Sequence, residues 1–93
     1  LDEENDTTLF EIGLCYNELD LDKESIKYFE SYLDKYPYSY IAWFNLGNSY
    51  YRADKHKDAL FAFDYSMLTN EYFAAAYYGK ACIYSIRRLS KCD

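Results

Sequence analysis

The segment that decides the fold is WFNLGNSYYRADKHKDALFAF, residues 43–63. Apolar side chains recur in it three and four positions apart, at Trp43, Leu46 and Tyr50, which places them on one face of an α-helix. The same spacing resumes at Leu60, after a short charged stretch that is typical of a turn. The segment therefore predicts two amphipathic helices joined by a short connection.

Gly47 lies inside the first of these helices, where glycine costs about 1 kcal/mol relative to alanine. The usual compensation is the close approach of a neighbouring helix, which a Cβ atom would prevent. We expect Ala59, the small residue 12 positions later, to meet Gly47 across the helix pair, and Ser25 to meet Gly13 in the same way.

The pattern repeats with a period of 34 residues, which pairs Gly13 with Gly47. A second step of the same length leads from Gly47 to Ala81. The other matched pairs are Leu9 with Trp43, Ile12 with Leu46, Tyr16 with Tyr50, Phe29 with Phe63, Trp43 with Tyr77, and Tyr50 with Tyr84. Agreement at so many positions predicts a repeat protein.

The motif Trp43-x-x-Leu46-Gly47-x-x-Tyr50, followed by Ala59-x-x-x-Phe63, resembles the tetratricopeptide repeat (TPR). This resemblance implies an all-α fold, a right-handed superhelix of antiparallel helix pairs (a TPR solenoid). We predict one TPR domain over residues 1–93, and both of its ends look like parts of a longer array. The units are repeat 1 at 6–39, which Pro37 closes, repeat 2 at 40–73, and a partial repeat or capping helix at 74–93.

Caps and breakers predict five helices, at about 6–19, 22–35, 40–53, 56–69 and 74–88. Side-chain oxygens are expected to cap the first four helices. The predicted caps are Asp6 or Asn5 for the first helix, Asp22 or Asp20 for the second, Ser39 for the third and Asp54 for the fourth.

Composition limits the function. The 93 residues carry 16 acidic and 10 basic side chains, and the net charge of −6 disfavours nucleic acid and acidic membranes as partners. Cys15, Cys82 and Cys92 are odd in number and widely spaced, so we expect free thiols, as in a cytoplasmic protein. No apolar run of 18 residues occurs. A secretory signal upstream stays open if the chain is a fragment.

Catalysis has little support in the sequence. His56 is the only histidine, and its charged turn favours an exposed residue over a base. The chain contains no metal-binding or phosphate-binding motif, and its acidic pairs are better explained as caps or solvated charge. We therefore predict a protein that is not an enzyme and that needs no cofactor or metal.

The TPR resemblance implies a protein or peptide as partner, bound in the concave groove that the first helices of the repeats form. Groove residues are those that the packing motif does not use on these helices. We expect Phe10, Leu14, Phe44, Tyr51 and Tyr78 to form an exposed apolar stripe there. The predicted groove residues are Phe10, Leu14, Asn17, Phe44, Asn45, Asn48, Tyr51, Arg52, Tyr78 and Cys82.

Some TPR cochaperones hold acidic chaperone tails with a carboxylate clamp of Lys, Asn and Arg side chains. Only Asn45 fits that clamp here, whereas Phe10, Leu14, Ala75 and Gly79 occupy its other positions, so an acidic tail is not the expected ligand. The leading hypothesis is a scaffold or adaptor module.

The alternative function is a regulatory or sensor segment of a larger enzyme or transcription regulator. Residues 1–34 have a net charge of −9 and residues 35–93 one of +3, which makes steering of a basic partner a second option beside a solvated face. Self-association through the terminal helix also stays open, because Tyr77, Ile83 and Tyr84 would be incompletely covered.

Overall fold

The computed structural model describes residues 6–70 and 74–92, with the side chains of 8–70 and 74–86. All regular structure in these ranges is helical. The five predicted helices are confirmed, and only the last differs clearly, because it continues to Cys92 rather than ending near 88. The helices are α1 (Asp6–Glu18), α2 (Asp22–Lys35), α3 (Tyr40–Arg52), α4 (His56–Thr69) and α5 (Ala74–Cys92).

The helices form a row of hairpins. Helix α1 packs on α2 and α3 packs on α4, while α2 packs on α3 and α4 on α5 across the junctions between repeats. Helices two places apart also touch, α1 with α3 and α3 with α5. The first helices of the repeats therefore lie side by side, in a molecule with extents of 54 × 28 × 17 Å.

Two apolar clusters replace a single central core. The first surrounds Phe29 and Leu46, and the second surrounds Phe63 and Ile83. Each cluster takes residues from consecutive helix pairs, as expected for a repeat protein held by contacts between neighbours. The buried members of the first are Phe29, Leu33, Ala42, Leu46 and Ala62, and those of the second are Ala59, Phe63, Ala76 and Ile83.

The phenyl ring of Phe63 explains why Gly47 is glycine. A Cβ added at Gly47 would lie 2.6 Å from Cε1 of Phe63, and one added at Gly13 would lie 2.8 Å from Cε1 of Phe29. The glycines were correctly assigned to close packing, but the expected contacts with Ala59 and Ser25 were wrong. The nearest atoms belong to an aromatic ring one helical turn further along the second helix.

The turn inside each repeat is built on an aspartate in the left-handed region. Asp20 has φ 62° and Asp54 has φ 64°. The amide of Leu21 donates to the Tyr16 carbonyl at 3.0 Å, and the amide of Asp20 donates to the Asn17 carbonyl at 3.1 Å. Repeat 2 has the same pair of bonds, which is the Schellman arrangement that closes a helix C-terminus.

The caps predicted for α2 and α4 were therefore wrong. Leu21 and Lys55 occupy the N-cap positions, and neither makes a side-chain capping bond. Aspartates near these positions end the preceding helix instead, because Asp tolerates positive φ better than most residues. The cap expected for α1 lies at the edge of the described residues.

The connection between the repeats agrees with its prediction. Ser39 caps α3, and its Oγ accepts a hydrogen bond from the Ala42 amide at 3.3 Å. Pro37 lies between α2 and α3, and its carbonyl accepts from Nε1 of Trp43 at 2.7 Å. The indole is thereby tied to the connection that starts its own helix.

Candidate functional site

A cavity of about 270 Å³ lies between α3 and α5, next to the ring of Phe63 from α4. We call it the α3–α5 groove. Five of the predicted groove residues meet in it, and they are joined by three residues that were not in that set. The lining residues are Phe44, Asn48, Tyr51, Tyr78 and Cys82, together with Phe63, Ala75 and Gly79.

Small residues on α5 let the groove reach the ring of Phe63. A Cβ at Gly79 would lie 2.7 Å from Cζ of Phe63, so α5 approaches this ring as closely as α3 does at Gly47. Phe44 packs on Phe63 from α3, with ring centroids 6.0 Å apart. Sequence reasoning gave Phe63 a packing role alone, because period and burial say nothing about which ring edge faces a cavity.

The walls of the groove are less exposed than predicted. Phe44 and Tyr51 are half-buried, and Tyr51 stacks on the imidazole of His56 at 5.5 Å. Tyr78, by contrast, is 72% exposed. The expectation of a continuous exposed stripe was wrong, since only Tyr78 of its five side chains projects into solvent.

Polar groups in the groove come from Asn48, Tyr78 and Cys82. The side chain of Asn48 makes no hydrogen bond to another described residue. A hydrogen bond with the Cys82 thiol raises the pKa of Tyr78 above its ordinary value of 10.0, so the phenol stays protonated at neutral pH. Asn45 differs, because its Nδ2 donates to the Ile41 carbonyl within α3 at 2.9 Å.

Asn17 lies at the first junction, where it takes part in a buried polar relay. Its Nδ2 donates to Oγ of Ser49 at 2.8 Å, and Ser49 shares a hydrogen bond of 2.7 Å with Oγ of Ser25. Oγ of Ser25 also lies 3.0 Å from the carbonyl of Asp22. Ser25 and Ser49 are fully buried, so this relay joins repeat 1 to repeat 2.

Arg52 is engaged at the same junction. Its Nη2 lies 2.7 Å from Oδ1 of Asp22 and donates to the Asn17 carbonyl at 2.9 Å, while its Nε donates to Oδ1 of Asp22 at 3.1 Å. Two donors on one carboxylate oxygen hold the guanidinium on repeat 1. This predicted groove residue therefore has a structural partner.

Phe10 and Leu14 pack against the first apolar cluster. The ring of Phe10 lies 5.8 Å from that of Phe29 and 5.2 Å from that of Tyr32. Both residues are half-buried, so they are not the exposed anchors that we expected. Their role in ligand binding stays a prediction.

The prediction of a solvated corner for His56 was only partly right. It opens α4, is half-buried under the Tyr51 stack, and its Nε2 lies 3.8 Å from Oδ1 of Asp54. In the part of the chain that the structure describes, no three His, Cys, Asp or Glu side chains are grouped to hold a metal ion. None of the described helices has the length and apolar character that a membrane crossing requires.

The stacked hairpins and their side-by-side first helices define a helical-repeat protein. Residues 7–39 match the tetratricopeptide repeat family. Together with the five helices, this match shows a TPR-type helical repeat, and members of this family are generally non-catalytic modules for protein–protein interaction. A search of curated proteins found none that matches the chain.

Proposed function

We propose that the protein binds a peptide or helical segment of a partner protein in the α3–α5 groove, as a scaffold or adaptor module. The observation that carries this proposal is the pairing of the exposed Tyr78 with the unpartnered Asn48 over an apolar floor. An amide beside an aromatic surface can bind the backbone of a peptide whose side chains cover the ring.

Affinity should be modest, because two repeats and one helix present a short surface. We expect dissociation constants in the micromolar range, about −8 kcal/mol. The groove lining contains no Asp, Glu, Lys or Arg, so the affinity should change little with salt. The ligand segment itself should be partly apolar.

A peptide display library of random 12-residue sequences provides a direct test. Peptides selected on the protein are synthesised with a fluorescent label, and their affinities are measured by fluorescence polarisation. Tyr78→Ala should weaken binding about tenfold, close to 1.4 kcal/mol, because it removes the exposed aromatic anchor. Asn48→Asp should weaken it further, since the change replaces the amide donor with a charge.

Tyr84→Ala is the matched control. Tyr84 lies on the same helix and is 48% exposed, but it does not line the groove. Selected peptides that lose affinity for the Tyr78 and Asn48 variants but not for the Tyr84 variant support the proposal. Equal affinity for all four proteins would place the binding surface elsewhere.

A further inference from the structure

The opposite side of α3 carries a second type of cavity. It has a volume of about 450 Å³ and lies between α2 and α4, the second helices of the two repeats. Aromatic rings and carboxylates line it together, over the apolar floor of Leu33 and Leu46. The aromatic residues are Trp43, Tyr50 and Phe61, and the acidic ones are Glu30, Asp34 and Asp58.

The charge in this cavity is one-sided. Its lining includes three carboxylates and no basic side chain. Those of Asp34 and Asp58 make no hydrogen bond or ion pair with another described residue, and Glu30 accepts from the Tyr50 hydroxyl. Burial of the Tyr50 ring, that hydrogen bond and the charges of Glu30 and Asp58 raise the pKa of Tyr50.

A larger apolar cavity of about 600 Å³ adjoins the first and shares Trp43 and Phe61 with it. Tyr65 stacks on Trp43, with ring centroids 4.8 Å apart. Tyr38 is 82% exposed and Leu68 is 76% exposed. The two cavities form one continuous surface, the outer cleft, with an acidic aromatic part and an apolar part.

We propose that the outer cleft binds a peptide segment of a partner protein in which an arginine is followed by a large apolar residue. A guanidinium is planar, so it can lie against the faces of Trp43 and Phe61 while its N–H groups donate to the carboxylates around it. The next side chain then covers the exposed rings of the apolar part, where burial of apolar area is favourable.

This site differs from the α3–α5 groove in its physics. The outer cleft selects charge, so its affinity must fall as salt rises, whereas affinity in the groove should not. Trp43 is the only tryptophan of the chain, and it lines both parts of the cleft. Its fluorescence therefore reports occupancy of this site, and either proposal can fail without the other.

The test is a titration of the protein with the blocked peptide acetyl-Ala-Arg-Leu-Ala-amide, followed through Trp43 emission. A second peptide has citrulline, the neutral isostere of arginine, in place of arginine. We expect a saturable change in emission with the arginine peptide, and affinity about tenfold lower with citrulline, since one charge-assisted contact is worth about 1.4 kcal/mol. Raising the salt concentration should weaken only the arginine peptide.

Two protein variants locate the effect. Glu30→Gln with Asp58→Asn removes two charges, and Glu30→Gln with Asp34→Asn leaves Asp58 in place to stabilise the first turn of α4. Each should weaken the arginine peptide at least fivefold. Glu11→Gln is the control, because Glu11 is exposed on α1 and does not line the cleft.

Three results would overturn the proposal. The first is equal affinity for the arginine and citrulline peptides, and the second is unchanged affinity in both double variants. The third is a dimer in sedimentation velocity whose dissociation alters Trp43 emission, which would show that a second copy of the chain occupies the cleft.

Discussion

The two junctions between repeats are built differently. The first, between α2 and α3, contains the buried relay of Asn17, Ser25 and Ser49. The second, between α4 and α5, closes on apolar side chains around Phe63, with the exposed ion pair of Lys80 and Asp64 at 2.6 Å beside it. A step of 34 residues converts Asn17, Ser25 and Ser49 into Tyr51, Ala59 and Ile83.

This difference explains where a ligand can bind. Hydrogen bonds are directional, so the relay fixes the first junction and uses its polar groups internally. The second junction needs no such bonds, and the corresponding polar and aromatic groups face the α3–α5 groove. Tyr51 illustrates the change, since it lines the groove at the position where Asn17 joins the relay.

Gly47→Val should have the largest effect on stability, because it removes the close approach on which the second junction depends. The new side chain meets the ring of Phe63, which Gly79 confines from the other side. We expect a loss of about 3 kcal/mol from overpacking, measured by thermal denaturation followed by circular dichroism.

Ala81→Val is the control for this substitution. The 34-residue period places Ala81 at the position of Gly47, but Ala81 is exposed on α5. Only the helix propensity of valine opposes it, at about 0.5 kcal/mol. Similar losses for Gly47→Val and Ala81→Val would show that the glycine is not packed against Phe63.

Ser49→Ala tests the first junction. It leaves the amide of Asn17 without its acceptor and removes one partner of Ser25. We expect a loss of about 2 kcal/mol in urea denaturation, because buried polar groups that lose a partner keep their desolvation cost. Ser66→Ala should cost less, since the Ser66 hydroxyl, also fully buried, donates to the Tyr40 carbonyl alone. An equal cost for both would argue against the relay.

Asp54→Gly should stabilise the protein. Positive φ at Asp54 is unfavourable for a residue with a Cβ atom and is free for glycine. A gain of about 1 kcal/mol is expected, seen as a higher urea midpoint. Asp20→Gly should gain less, because Asp20 also lies 3.8 Å from Nε of Arg52. A loss of stability in both variants would contradict the turn geometry.

Tyr50→Phe should produce the smallest change at neutral pH and should act mainly at alkaline pH. Tyr50 in the folded state has a pKa raised above its ordinary value of 10.0, chiefly by burial and then by its hydrogen bond to Glu30. Its contribution to stability is therefore complete below pH 10 and is lost as the pH rises above it, where the unfolded phenol ionises first. The variant should lose less stability above pH 10 than the parent protein.

Much of the fold follows from the 34-residue period, which correctly predicted the helices and the packing roles of Gly13, Gly47 and Phe63. The period failed where one repeat departs from the other. Gly79 shows this, because it meets Phe63 from the next repeat, and its position in repeat 2 is held by Asn45. Contacts between repeats depend on side chains that the motif does not specify.

The site was predictable in its position on the first helices but not in its extent. Asn17 and Arg52 lie on the expected face, and only the structure reveals that Ser49 and Asp22 already bind them. No spacing rule finds such pairs, which join residues about 30 positions apart. Likewise, the sequence placed Phe10 beside the groove, whereas packing on Tyr32 leaves it half-buried.

The most direct test of the account maps a selected peptide onto the protein by chemical shift changes in ¹H–¹⁵N NMR spectra. The account predicts the largest changes at Asn48, Tyr78 and Cys82, and small ones at Ser25 and Ser49, where the relay fixes the first junction. Changes concentrated at the first junction, with none between α3 and α5, would contradict it.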